Sequence, residues 1–379
     1  MPPISLLIKP ASGNCNMRCR YCFYEDETDK RAVKSYGVMS HETMETLIWK
    51  TLSFADRECT FAFQGGEPTL AGLDFFHRFV ELVERYNCRD GRQEKEPDSR
   101  RKVAVHYAIQ TNGYGITDQW AAFFARWGFL VGLSLDGPKE INDRYRLDAA
   151  GEGSYKRIMR AAQLFDKYRV EYNILTVVTA QTAKNIGKIY GFFDKNHFVY
   201  QQYIPCLDPI GEERGRQEYS LTPECYERFL KDLFDLWYRD RVKGKFVYNR
   251  YFENLAAILK GYAPENCGMK GYCDRQLVVE ADGSVYPCDF YALDEWKLGN
   301  LVTESFEELE EARRHLGFVE LSMQVDERCK TCKWAFLCRG GCRRDREPMV
   351  DGRLSLNYFC EAYYGFFEYA VPRLRTLIR

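Results

Sequence analysis

Histidine is scarce here. There are five in 379 residues, each standing alone (His41, His77, His106, His197, His315). That argues against a centre built on clustered imidazoles, as zinc enzymes often have. Net charge is nearly absent too: 54 Lys and Arg against 55 Asp and Glu leave −1. No strong field therefore draws the chain to nucleic acid or to an anionic membrane. The opening stretch MPPISLLIKP lacks a basic segment followed by a long apolar one, so neither a signal peptide nor a transmembrane span is expected. A cytoplasmic chain follows as an expectation, and disulfides are rare in that compartment. Against these absences the fifteen cysteines stand out. In a reducing compartment, metal binding is their leading explanation.

Hydrophobic residues make up 45% of the chain and charged residues 29%, a globular composition. The length suits one large domain or two ordinary ones. Strand-like runs at 4–8, 59–63, 103–109, 129–133, 170–178 and 198–205 alternate with amphipathic stretches at 41–54, 72–86, 117–127, 155–168 and 182–195. Such βα alternation predicts a parallel α/β sheet, curved into a partial (β/α)6 TIM-like barrel, with its chemistry at the C-terminal strand ends. The hydrophilic stretch 89–102 reads as a solvated insertion. Residues 1–221 are expected to form the barrel core and 222–261 a helical connection. Residues 262–360 are expected to form a second, cysteine-organised domain, and 361–379 a closing helix.

Three thiols crowd into CNMRCRYC, at Cys15, Cys19 and Cys22, with no fourth cysteine until Cys59. Three thiolates and a gap suit a four-iron cluster with one iron left open. An open iron can hold a small molecule that chelates through an amine and a carboxylate. In FAFQGGEPTL, at the end of the second strand, Gly65 and Gly66 remove side chains where a ligand must approach the backbone. Eight further cysteines fall at 267, 273, 288, 329, 332, 338, 342 and 360. They divide into two possible sets of four, and their C-x2-C pair fits zinc as well as iron–sulfur clusters. Cys59, Cys88, Cys206 and Cys225 have no partner spacing and read as small apolar residues or exposed thiols.

CNMRCRYCFY resembles the signature of radical S-adenosylmethionine enzymes, and the later cysteines resemble the SPASM extension of that superfamily. The resemblance implies three [4Fe-4S] clusters and S-adenosyl-L-methionine as cofactors. It implies cofactor contacts at Gln64, Gly65, Gly66 and Glu67, where the GGEP segment holds the methionine amino group. It further implies contacts at Ser134, at Arg146 to the methionine carboxylate, and at Tyr24 and Leu207 to the adenosine. One auxiliary cluster would take Cys267, Cys273, Cys288 and Cys342, the other Cys329, Cys332, Cys338 and Cys360.

Over nearly the whole chain, from LLIKPAS to VVEADGSVYPCDFY, the sequence is similar to anaerobic sulfatase-maturating enzymes. These oxidise a cysteine or serine side chain of a sulfatase to Cα-formylglycine. The similarity implies Asp289 as the base that takes the proton. It also implies a sulfatase or other peptide as substrate and a flavodoxin or ferredoxin as electron donor, with a monomeric chain and no nucleic-acid or membrane partner. Asp345, and the residues around Asp274, depart from the pattern of close relatives. An alternative is a SPASM enzyme that installs a crosslink in a ribosomal precursor peptide. Such enzymes often carry an N-terminal peptide-binding segment, which is not expected here because the first strand begins at once.

Overall fold

The computed structural model describes residues 4–87 and 102–378; the expected insertion at 89–102 therefore lies almost wholly outside the described residues. Ten strands build one sheet: β1 (Ile4–Ile8), β2 (Glu58–Phe63), β3 (Ala104–Thr111), β4 (Phe129–Ser134), β5 (Glu171–Val178), β6 (Tyr200–Pro205), β7 (Tyr248–Asn249), β8 (Leu277–Val279), β9 (Ser284–Tyr286) and β10 (Gly299–Asn300). Their order is β10-β9-β8-β1-β2-β3-β4-β5-β6-β7. From β8 through to β7 every pairing is parallel, and β9 and β10 complete the edge antiparallel.

The helices of the first half are α1 (Phe23–Asp29), α2 (His41–Phe54), α3 (Leu73–Tyr86), α4 (Asp118–Trp127), α5 (Lys139–Tyr145), α6 (Tyr155–Tyr168), α7 (Ala180–Lys184) and α8 (Ile186–Lys195). Local signals fix several boundaries. The Ser40 hydroxyl accepts from the Thr43 amide at the start of α2, and α4 stops at Gly128, whose φ of 63° suits a residue without Cβ. Alternate strand residues such as Leu6, Ile8, Phe61, Phe63, Val131 and Leu133 are buried, and they share one core with Phe76, Phe79, Phe124 and Phe165 from the helices. Burying each such side chain contributes about 1.5–3 kcal/mol.

The six expected parallel strands are present, but the sheet continues past both ends of that set. The stretch expected as one helical connection breaks into α9 (Pro223–Val242) and α10 (Arg250–Leu259), with β7 between them joining the edge beside β6. On the other side β8 pairs with β1, Leu6 opposite Leu277 and Ile8 opposite Val279. The cysteine-rich region is thus sewn into the barrel's sheet. Strands of two or three residues carry too little alternation to be read from sequence. The stretch expected as one helix at 182–195 is two, α7 and α8, broken at Asn185.

Beyond β10 come α11 (Phe306–Leu316), α12 (Phe318–Ser322), α13 (Glu327–Lys330), α14 (Ala335–Cys338) and α15 (Cys360–Leu377). The last packs on α9 through aromatic contacts such as Phe234 with Phe366 and Tyr226 with Tyr363. Among the described residues no helix is long and apolar enough to cross a membrane. Because the central strands are parallel, Ile8, Phe63, Thr111, Ser134, Val178 and Pro205 all end at one edge, and the loops that follow them converge there.

Candidate active site

The loop after β1 carries Cys15, Cys19 and Cys22, all unpaired and partly buried. Cys22 is the N-cap of α1, and its amide donates to the Cys19 carbonyl at 3.0 Å. The Asn112 side chain, after β3, donates to the Cys15 sulfur at 3.6 Å. Burial pushes the Cys15 thiol up to about 11, with the charges of Glu67 and Cys22 adding, and Cys19 up to about 12, with those of Cys22 and Cys15 adding. Arg146 draws Cys19 the other way. Thiols held in this way release protons when a metal centre takes them as thiolates.

Gly65 and Gly66 permit a close approach, but its partner is the protein's own loop. A Cβ on Gly66 would lie 2.1 Å from the Asn14 carbonyl oxygen, and one on Gly65 would lie 2.9 Å from that of Ser12 at a φ of +115°. The Gly66 and Glu67 amides donate to Ser12 (3.1 Å) and Asn14 (2.8 Å). Among the described residues the Gly65 and Gly66 carbonyls accept no backbone hydrogen bond, which leaves them suited to an ammonium group. The Glu67 side chain is engaged by the protein itself. It is buried and accepts from the Thr69 amide, Thr69 Oγ1, Thr111 Oγ1 and the Asn112 amide at 2.6–3.1 Å. Three of these donors converge on Oε1 and one reaches Oε2, so Glu67 clamps the end of β2 to β3.

Arg146 is also held differently from the sequence expectation. It is buried, and its Nε and Nη2 pair with Asp136 at 3.0 and 3.3 Å. The Tyr21 hydroxyl and the Val177 amide complete the shell of Asp136. The bidentate partner in the structure is thus a carboxylate from the SLDG stretch; Nη1 makes no hydrogen bond among the described residues and is the edge left for a ligand carboxylate. Ser134 ends β4, and Leu207, half-buried, follows β6; the Ile210 amide ties that loop to Asp26 of α1 at 2.8 Å.

Asp289 lies at the centre. It directly follows Cys288 and is 7% exposed. Its Oδ2 accepts from Tyr24 at 2.6 Å and from Gln64 Nε2 at 2.7 Å. Its Oδ1 is buried without a hydrogen-bond partner. Tyr24, expected against the adenosine, gives its hydroxyl to this carboxylate; burial holds its phenol protonated. Burial pushes Asp289 up to about 6, with Glu27 and Glu280 adding and Lys9 opposing.

Sequence reasoning missed the charges behind it. Lys9, 1% exposed, pairs with Glu27 at 2.9 Å and Glu280 at 3.6 Å, and Arg31 pairs with Glu280 at 2.5 Å. Glu27 also accepts from the Ala292 amide at 2.6 Å. A signal was present: Lys9 and Glu280 each end an apolar strand run, in LLIK and LVVE.

The remaining thiols gather as two quartets. The Cys342 thiol feels the charges of Cys267 and Cys273, and Cys288 those of Cys342 and Cys273; burial raises both. Cys329, Cys332, Cys338 and Cys360 line a cavity of about 290 Å³ walled by Trp334, Tyr363 and Phe367. The zinc alternative asks thiolates to converge on one ion. A four-iron cluster asks for four thiols around a larger cavity, which the outer quartet lines. Cys59 and Cys206 are buried apart from these sets and Cys225 is half-buried; Cys88 lies outside the described residues.

The radical SAM superfamily model matches residues 10–193, and the SPASM iron–sulfur cluster-binding domain matches residues 267–333. A cysteine-type anaerobic sulfatase-maturating enzyme of Clostridium perfringens is 50% identical over 99% of this chain and 98% of its own. The chain belongs to the anaerobic sulfatase-maturating enzymes. A serine-type member from Bacteroides thetaiotaomicron is 31% identical over 98% of this chain and 90% of its own. A solved structure, native anSMEcpe with bound AdoMet and Cp18Cys peptide, superposes with a TM-score of 0.92 at 48% identity, covering 100% of this chain and 99% of that one. The chain is therefore a radical S-adenosylmethionine enzyme, and its cofactors are S-adenosyl-L-methionine and three [4Fe-4S] clusters.

Proposed function

We propose that this enzyme oxidises a cysteine side chain of a sulfatase segment to Cα-formylglycine, with Asp289 as the base. One observation carries the assignment of the base: a buried carboxylate beside Cys288 has one oxygen pinned by Tyr24 and Gln64 and the other without a partner. Identity of 50% to a cysteine-type relative against 31% to a serine-type one favours cysteine as the target. It also leaves the crosslinking alternative without support. Cys15, Cys19 and Cys22 would hold the cluster that binds S-adenosylmethionine, and the two quartets would hold the auxiliary clusters. When bound, these cofactors supply the 5'-deoxyadenosyl radical that removes a hydrogen atom and the acceptor for the electron that follows.

The protein's own part is position and proton transfer. The thiol proton of the target must leave as its carbon is oxidised to a thioaldehyde, and Asp289 Oδ1 is the open acceptor; water then hydrolyses the thioaldehyde to the aldehyde with release of hydrogen sulfide. Tyr24 and Gln64 fix the carboxylate's orientation, while Lys9 keeps a buried negative charge from being prohibitive. The Gly65 and Gly66 carbonyls would receive the methionine ammonium, and Arg146 Nη1 its carboxylate, with Ser134 and Leu207 beside the cofactor. For the reductant we propose a flavodoxin or ferredoxin, for the solution state a monomer, and for the compartment the cytoplasm, in keeping with fourteen unpaired described cysteines.

The test is a peptide with a Cys-x-Pro-x-Arg core, incubated anaerobically with S-adenosylmethionine and reductant. A thiol-to-aldehyde mass change is expected, and its absence would sink the substrate assignment. Asp289→Asn should slow aldehyde formation about 10²–10⁴-fold, the range for a positioned base. Deuterium from the target carbon should still reach 5'-deoxyadenosine. Aldehyde at the wild-type rate would mean that another group takes the proton.

A further inference from the structure

Three buried arginines are tied to the segments that carry Cys273, Cys288 and Cys342: Arg313 is 1% exposed, Arg343, which follows Cys342, 2%, and Arg346 4%. None of the three is fully satisfied. Arg313 donates from Nη2 to the Gln276 carbonyl at 2.5 Å and from Nε to Glu310 at 3.1 Å, but Nη1 has no partner. Arg343 donates from Nη1 to the Phe318 carbonyl at 3.1 Å, leaving Nε and Nη2 without hydrogen bonds. Its guanidinium lies 4.3 Å from the Phe318 ring, 4.5 Å from Trp296 and 5.1 Å from Tyr291, and 3.9 Å separates Nε from Glu347. Arg346 donates to the carbonyls of Gln324 and Ser322 and leaves Nε unpartnered.

Buried N–H groups without acceptors cost about 1–3 kcal/mol each, and more when charged. Four of the six arginine nitrogens in that condition among the described residues belong to these three side chains. These nitrogens call for an anionic acceptor, and the thiols of the quartet act on all three side chains. Arg343 and Arg346 both act on Cys273, and Arg313 feels Cys288. Arg346 feels Cys273, Cys342 and also Cys329 of the other quartet. The Ser322 hydroxyl that accepts from the Cys273 amide belongs to the residue whose carbonyl receives Arg346. Beside the outer quartet, by contrast, Arg328 is exposed and paired with Glu361, and Arg339, which lines the same cavity half-buried, donates to the Phe336 and Met269 carbonyls.

We propose that Arg313, Arg343 and Arg346 are the hydrogen-bond donors and counter-charge of the cluster held by Cys267, Cys273, Cys288 and Cys342, and that they raise its reduction potential above that of the outer cluster. Four thiolates around a four-iron core leave a net negative charge, and an arriving electron adds one more. Hydrogen bonds to the sulfurs and a fixed positive charge both favour the reduced form. The quartet next to Asp289 is thereby the easier one to reduce, which suits the place where the substrate's electron first leaves.

The proposal rests on the ligand sets given above, and the two can fail separately. The full chain is reconstituted anaerobically and its iron counted first. Midpoint potentials are then read by EPR-monitored titration. The cluster whose signal changes on adding S-adenosylmethionine is set aside as the radical one. Arg343→Gln and Arg346→Gln should each move one auxiliary midpoint to more negative potential, and Arg346→Lys should recover most of the shift. Unmoved midpoints with full iron would overturn the proposal. Wild-type protein labelled with 15N-arginine provides a test that does not depend on any variant folding. Pulsed EPR of the more easily reduced auxiliary cluster should show coupling to guanidinium 15N, and its absence overturns the proposal whatever the variants do. Wild-type protein with only about four irons would instead remove the ligand sets themselves, and the proposal with them.

Discussion

Tyr24 shows how one side chain can be placed by sequence and yet carry an unexpected role. The cysteine loop marks its position, but its hydroxyl ends 2.6 Å from Asp289, a residue 265 positions away. A hydrogen bond to a charged group contributes about 1.5–3 kcal/mol, which in a transition state is roughly 10–100-fold in rate. Tyr24→Phe should therefore slow aldehyde formation by about that factor, less than Asp289→Asn, and raise the amount of 5'-deoxyadenosine made per aldehyde. A wild-type ratio would show that the hydroxyl does not position the base. The clustering of the cysteines was legible because thiol spacing is local; Asp289 was marked only by the family resemblance. The pairing of Arg146 with Asp136, the hydrogen bonds of Glu67 and the ion pairs of Lys9 were not legible, because each depends on which strand ends meet in space.

At the level of elements, the parallel strands β1 to β6 were legible because each is five or more residues long and followed by an amphipathic helix. Strands β7 to β10 were hidden because they are short and take their conformation from the neighbours they pair with. The ends of β1 and β8 are tied by the buried network of Lys9, Arg31, Glu27 and Glu280. Removing one partner of a buried ion pair typically costs about 3–5 kcal/mol. Glu280→Gln should lower the guanidinium midpoint accordingly. The cations hold the Glu280 carboxylate below its ordinary range, so its stabilisation is present above the unfolded value of about 4.3 and is lost as pH falls through the depressed folded value. Wild type should thus lose stability faster than Glu280→Gln on acidification below about pH 4. Parallel acid limbs would show that this carboxylate is not the linked group.

For the whole molecule, three cluster sites predict about 12 irons in the reconstituted chain. Replacing Cys15, Cys19 and Cys22 together by Ala should abolish cleavage of S-adenosylmethionine and leave about eight irons. Cleavage at the wild-type rate in that variant would place the cofactor elsewhere; loss of all iron would show that the three sites do not assemble independently.

The pairing of β1 with β8 has a consequence for how this chain comes into being. The neighbour that covers one side of β1 is made some 270 residues later. Until Leu277–Val279 leave the ribosome, the first strand of the barrel presents an open row of backbone donors and acceptors, with Leu6 and Ile8 already committed to the core beside β2. Such an edge is a template for pairing with another chain, and its exposure lasts for most of synthesis. The polypeptide that must later exclude oxygen and water from a radical spends that interval as an aggregation hazard, and the cysteine-rich segment closes the hazard when its β8 arrives.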